Sequence, residues 1–161
     1  MHDVDTARAV LALAAFAFGL AGHYLGDHWV QTSPQACKKA LNGTASRTVA
    51  LWHCAKHVTT WAATVTVFIA GAGWWLHLPI RPGWFAAGMA LNVITHFVAD
   101  LRTPLIWLAR ILGRGGYLDH IVVQRAADVE DTGPGTAAFE LDQAWHIAWL
   151  AVSALLIAGP M

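Results

Sequence analysis

The sequence predicts an all-α integral membrane protein, a four-helix transmembrane bundle with an amphipathic cytoplasmic segment between its third and fourth helices. Three observations predict it. Hydrophobic residues make up 57% of the chain and charged residues only 12%, about half the charge that a soluble surface carries, and mean hydropathy is +0.47. Apolar runs of roughly membrane-crossing length recur four times. Each run also carries one pair of ionisable residues four positions apart, a spacing that puts both on one helix face: His23 and Asp27, His53 and His57, His96 and Asp100, Asp142 and His146.

The 161 residues read as a single transmembrane domain, with spans at about 7–26, 54–76, 84–101 and 141–159 and cytoplasmic loops over 27–47 and 102–138. The N-terminal segment sets Asp3 and Asp5 against Arg8 and lacks a small-residue cleavage pattern, so the first span is expected to be retained. Gly19, Gly22 and Gly26 bare one face of that span for close approach by a neighbour. A polar connection with Pro34, Lys38, Lys39 and Arg47 follows. Thr48 to Leu76 is too long for one crossing, so its first turns, with His53, Lys56 and His57, belong at the interface or inside the bundle. Trp74, Trp75 and Trp84 flank the HLPIRPG turn as an aromatic girdle; Trp29, Trp52, Trp107 and Trp145 form the opposite belt. The third span carries Asn92, Thr95, His96 and Asp100. After Pro104, LIWLARILGRGG is basic and amphipathic, suited to lie along a membrane surface. A short helix over Tyr117 to Ala127 and a polar loop over Asp128 to Thr136 precede the last span.

Lys38, Lys39, Arg47, Arg102, Arg110, Arg114 and Arg125 fall in the first and third connections, against only Arg8 and Arg81 in the N-terminus and second. The positive-inside rule therefore puts both termini outside a cell inner membrane. On that topology all four pairs reach the cytoplasmic side. Ionisable groups in spans are costly and face one another or a cavity, so the cluster calls for a partner. A metal ion supplies it: His23, His53, His57, His96, Asp27, Asp100 and Asp142 with His146 are the candidate ligands, enough for two ions. Imidazole and carboxylate without thiolate fit a divalent transition metal, Zn first, with Mn or Fe as alternatives. Gln31, Gln143 and Asn92 are candidates to orient the ligands by hydrogen bonds. Balanced charge, with ten basic and ten acidic residues, leaves no footprint for nucleic acid. Cys37 and Cys54 make no CxxC pair and read as free thiols.

HYLGDHWVQT, the following Lys38 and Lys39, the His in LWHCAKH, THFVAD and LDQAWH resemble the ordered motifs of a domain-of-unknown-function family of small bacterial and phage membrane proteins. That family's pattern is an H-x-L-x-D-F-x-L-Q block, a downstream Lys, a lone His on the second helix, an H-F-x-x-D block and a final D-Q-x-x-H. The resemblance spans most of the chain and implies His23, Asp27, Gln31, His53, His96, Asp100, Asp142, Gln143 and His146 as the site, without requiring His57. His28 stands where the pattern has Phe, and the loop before the last span is long. The size and His/Asp placement are also distantly similar to prophage membrane-bound metal-dependent hydrolases, an analogy of architecture.

The expectation is therefore a membrane-embedded metal-dependent hydrolase with a site, possible for two ions, at the cytoplasmic interface. Asp27, Asp100 and Asp142 are the candidate catalytic carboxylates, and Lys38, Lys39 and Lys56 would draw the anion of an amphiphilic, lipid-like phosphoester. The expected partners are the lipid bilayer, that substrate and a second copy in a homodimer. The alternatives are a metal or proton translocator, a di-iron oxidase, and an envelope interaction protein whose polar cluster is structural.

Overall fold

Local chemistry sets the ends of the long helices. The computed structural model describes residues 2–120, 123–126, 129–131 and 135–160. Helix α1 (His2–Leu25) continues into a π turn, Gly26–Val30, closed by Gln31 N–H donating to Gly26 O at 3.0 Å. Helix α2 (Ser33–Lys38) opens with a capping box in which Thr32 N–H donates to Gln35 Oε1 at 2.7 Å. Ser46 caps α3 (Arg47–Trp75), Pro82 opens α4 (Pro82–Asp100), and Thr136 Oγ1 accepts from Phe139 N at 3.2 Å to start α7 (Ala137–Ala158). Between α4 and α7 lie α5 (Thr103–Ile111) and α6 (Gly115–His120).

The predicted loops hold more structure than polarity suggested. Residues 27–47 contain most of the π turn and all of α2. The helix expected over Tyr117 to Ala127 is described over Gly115–His120; residues 121, 122 and 127 lie outside the described residues, and Val123–Ala126 is extended rather than helical. Val123–Ala126 (β1) pairs antiparallel with Val129–Asp131 (β2), Val123 opposite Asp131, with a bulge between Gln124 and Ala126. Apart from this short hairpin the described elements are all helical, as expected; residues 128 and 132–134 of the expected 128–136 loop lie outside the described residues.

The four long helices close into a ring, α1 on α3 and α7, and α4 on α3 and α7. Small residues make the contacts close. Gly19 faces Leu150 and Ile69, Gly22 faces Val65 and Phe68, and a Cβ on Gly26 would lie 2.7 Å from Trp61 Cδ1. On the other diagonal a Cβ on Gly88 would lie 2.7 Å from Ser153 O. Ala15, Trp61, Val65, Ile69, Met89, Ala154 and Ile157 fill the centre.

The outside of this ring is apolar as well. Leu13, Val67, Ile94 and Leu155 are each more than 60% exposed, which suits contact with lipid rather than water. Asp5–Val30 and Ala137–Ala158 are long and apolar enough to cross a membrane, and α4 with α5 would make a third such segment were they not bent by 85°. Helix α3 falls short on composition because of its threonines and tryptophans, yet Thr59, Thr60 and Thr64 return their hydroxyls to carbonyls of their own helix at 2.8–3.2 Å.

Candidate metal centre

Buried side chains of α3 repeat with helical period: Ala50, Cys54, His57, Trp61, Val65 and Ile69. That stripe turns His57 into the bundle and leaves His53 off it. The π turn brings Asp27 inward from α1, α4 contributes His96 and Asp100, and α7 contributes Asp142 and His146. Seven of the eight predicted ligands thus converge at one end of the ring.

Four of their atoms form a compact set. His57 Nε2 lies 3.3 Å from Asp27 Oδ1 and 3.2 Å from Asp100 Oδ2. His96 Nε2 lies 3.8 Å from that Asp27 oxygen, 3.2 Å from that Asp100 oxygen and 3.3 Å from His57 Nε2. Ligands about 2.0–2.1 Å from a tetrahedral ion stand roughly 3.3–3.4 Å apart. Four of the five separations lie near that value, and the fifth, His96 Nε2 to Asp27 Oδ1, is wider at 3.8 Å.

Hydrogen bonds around the set decide which nitrogens can ligate. With its amide oriented to satisfy its neighbours, Gln31 donates to Asp27 O (3.1 Å) and accepts from His57 Nδ1 (3.2 Å) and Lys39 Nζ (2.9 Å). A proton on His57 Nδ1 leaves a lone pair on Nε2, aimed at two carboxylate oxygens and a second imidazole. Electron pairs so opposed are reconciled by a metal ion among them or by a second proton on the His57 ring. Asp27 Oδ1 and Asp100 Oδ2 are buried with no hydrogen-bond partner among the described residues, and Asp100 is 3% exposed.

His23 takes a different role from the one its spacing suggested. Trp61 Nε1, which can only donate, bonds to His23 Nδ1 at 2.9 Å. The neutral ring therefore carries its proton on Nε2, which faces Asp27 Oδ2 at 3.6 Å. His23 Nε2 lies beside Asp27 with no hydrogen-bond partner among the described residues. Trp61 also stacks on His96 with ring centroids 3.9 Å apart, so one indole holds two imidazoles. Gly26 makes room for it.

Comparisons with protein families, with curated proteins and with solved structures find no match. The reading of this centre rests on its own geometry.

A cleft of about 160 Å³, lined among others by Asp27, Gln31, Lys39, Asp100, Asp142 and Gln143, leads to the cluster. Lys39 Nζ binds Asp100 Oδ1 at 2.6 Å. Asp142 pairs with His146 Nε2 at 3.5 Å, and Gln143 Nε2 reaches Asp142 Oδ2 at 3.4 Å. Of the predicted anion-binding lysines only Lys39 lines this cleft. Lys38 is exposed, and Lys56 lies over the Trp52 ring at 5.4 Å. His53 forms no ion pair with the cluster among the described residues. Asn92 is buried one turn deeper on α4, with no partner for its Nδ2 among those residues.

Sequence reading also passed over Arg102, which lines the cleft and turns the α4–α5 corner at φ 58°. No composition signal marks it. The inward face of Trp61 was legible in the α3 stripe, and α2 in the Thr32-x-x-Gln35 box.

Proposed function

We propose that the chain is a membrane-embedded, metal-dependent hydrolase whose ion is held by His57, His96, Asp27 and Asp100. The observation that carries this reading is the close approach of His57 Nε2 and His96 Nε2 to each other and to Asp27 Oδ1 and Asp100 Oδ2, at 3.2–3.8 Å, with a cleft reaching both carboxylates. Oxygen and imidazole donors without thiolate suit Zn, and also Mn or Fe. A divalent ion there would acidify a coordinated water and polarise a phosphoryl or carbonyl oxygen. Asp142, outside the four and facing the same cleft, is placed to take the proton from that water, with His146 and Gln143 fixing its carboxylate. His23 holds Asp27, and Gln31 holds His57.

All four long helices are taken to span a cell inner membrane, with the centre at headgroup depth. The 85° turn into α5 then lays Trp107 and Ile111, both exposed, along the bilayer surface, which favours an amphiphilic phosphoester as substrate. A translocator would need polar steps through the other half of the bundle. The apolar centre formed by Ala15, Val65, Ile69, Met89 and Ile157 speaks against that path.

Elemental analysis of detergent-purified, tag-free protein tests the centre. Wild type should retain a divalent transition metal that His96→Ala loses; no metal in wild type after reconstitution would sink the reading. Asp142→Asn should keep the metal and lower hydrolysis of a phospholipid or polyprenyl phosphate in mixed micelles by about 10²–10⁴-fold. Unchanged hydrolysis would remove Asp142 from the mechanism.

A further inference from the structure

Asp100 uses its two oxygens for different purposes. Oδ2 faces His57 and His96, each at 3.2 Å. Oδ1 faces the other way, toward Lys39 Nζ at 2.6 Å and His146 Nε2 at 3.9 Å. On the far side of that nitrogen Asp142 Oδ1 lies at 3.5 Å, buried and without a hydrogen-bond partner among the described residues. Asp100 Oδ1, His146 Nε2 and Asp142 Oδ1 are thus a second, looser set of the same donor types, and Asp100 bridges the two sets as a carboxylate does between paired ions. His96, Asp100 and His146 also offer atoms within 4.8 Å of one another.

What stands against this second set is an ammonium. Lys39 comes from the end of α2, and its position is fixed by Gln31 as well as by Asp100. Charge explains the arrangement. Asp27, Asp100 and Asp142 bring three negative charges; Lys39 and one divalent ion bring three positive ones. A neutral cluster is the cheapest to bury where the surroundings are apolar. A second divalent ion beside Lys39 would leave two excess positive charges, whereas without Lys39 one ion leaves the cluster anionic.

We infer that the Lys39 ammonium is a built-in second cation, occupying the Asp100 oxygen that a second divalent ion held with His146 and Asp142 would need. The centre then holds one metal ion, and an anionic substrate in the cleft meets the metal on one side and the ammonium on the other. This rests on the metal-centre reading above. It deepens that reading by fixing the ion count, and by assigning the anion contact to Lys39 rather than to Lys38 or Lys56.

The test is zinc stoichiometry of detergent-purified, tag-free protein reconstituted with Zn²⁺ and desalted. Wild type should hold one equivalent and Lys39→Met two. Lys39→Arg, which keeps the charge, should hold one, and Lys39→Met combined with Asp142→Asn should return to one. Should Lys39→Met not fold, Lys39→Gln, which keeps a hydrogen-bond donor toward Asp100, carries the same comparison. One equivalent in both wild type and the neutral variant overturns the inference while leaving the metal centre intact. Two in wild type overturns it as well. None in any sample removes the metal centre itself, and the inference with it.

Discussion

At one end of the bundle Gly19 and Gly88 let Leu150, Ile69 and Ile157 close over them. At the other, His57, His96, Asp27 and Asp100 meet nitrogen to oxygen around a buried polar centre that could hold a metal ion. The first end is held by shape. Its contacts are many, individually weak and tolerant of modest change. The second is held by charge, and each member matters because the others were buried on its account. The difference teaches where the constraint lies: the apolar end sets how closely the helices approach, and that spacing brings buried imidazoles and carboxylates within 3.2–3.8 Å of one another. Trp61 is the boundary. It packs in the apolar cluster while its N–H and its ring face serve His23 and His96.

The largest expected effect is at the polar end. Asp100→Ala should strip the metal and leave the Lys39 ammonium unpaired, at about 3–5 kcal/mol of stability, read from denaturant unfolding in micelles. A loss under about 1 kcal/mol would mean that the charges are less interdependent than the comparison holds. Next comes the apolar end. Gly88→Leu forces a side chain against Ser153 O and Ile157 and should cost about 1–3 kcal/mol by overpacking while the folded fraction still binds metal. Metal lost from folded protein would show that helix spacing matters even more than proposed.

Trp61→Phe sharpens the boundary. The ring and its stacking remain, but the donor to His23 Nδ1 goes, at about 1 kcal/mol. Metal affinity should fall by roughly tenfold, because His23 is then free to change tautomer and release Asp27. Unaltered affinity would reduce Trp61 to packing.

The smallest effect lies outside both ends. Asp119 accepts from Arg110 Nη2 at 2.7 Å, and that hydrogen bond holds its carboxyl below the ordinary carboxylate range. A depressed folded value means that the pair's contribution is complete above the ordinary Asp pKa and is lost as pH falls through the lower folded one. The carboxyl carbon shift of Asp119 should therefore titrate below about 3.9, without disturbing the metal centre. A midpoint at or above that value would show the pair open in solution.

Much of the centre was legible because helical spacing is a strong signal: three of the four i,i+4 pairs meet at one level. The fourth failed for a readable reason. His53 and His57 satisfy the spacing equally, and only the run Ala50, Cys54, Trp61, Val65 tells which of them faces inward. Spacing likewise offered His23 as a ligand, since a proton on one ring nitrogen rather than the other leaves no trace in sequence; it follows from Trp61, 38 positions away. Lys38, Lys39 and Lys56 were equivalent as charges. Helix α2 separated them by carrying Lys39 alone into the cleft. The hairpin after α6 was hidden because its first strand falls within the expected helix and its second, short and polar, within the expected loop.

The π turn at Gly26–Val30 has a consequence for how such a centre could be gained or lost. A turn closed from Gln31 N to Gly26 O holds one residue more than an ordinary helical turn. A single-codon deletion within 28–30 would restore the regular winding and swing everything downstream by about 100°. Asp27 would keep its place on α1, while Gln31 and Lys39 would be aimed elsewhere. The wide turn thus sets the angle between the carboxylate it carries, Asp27, and the cation that follows it, Lys39.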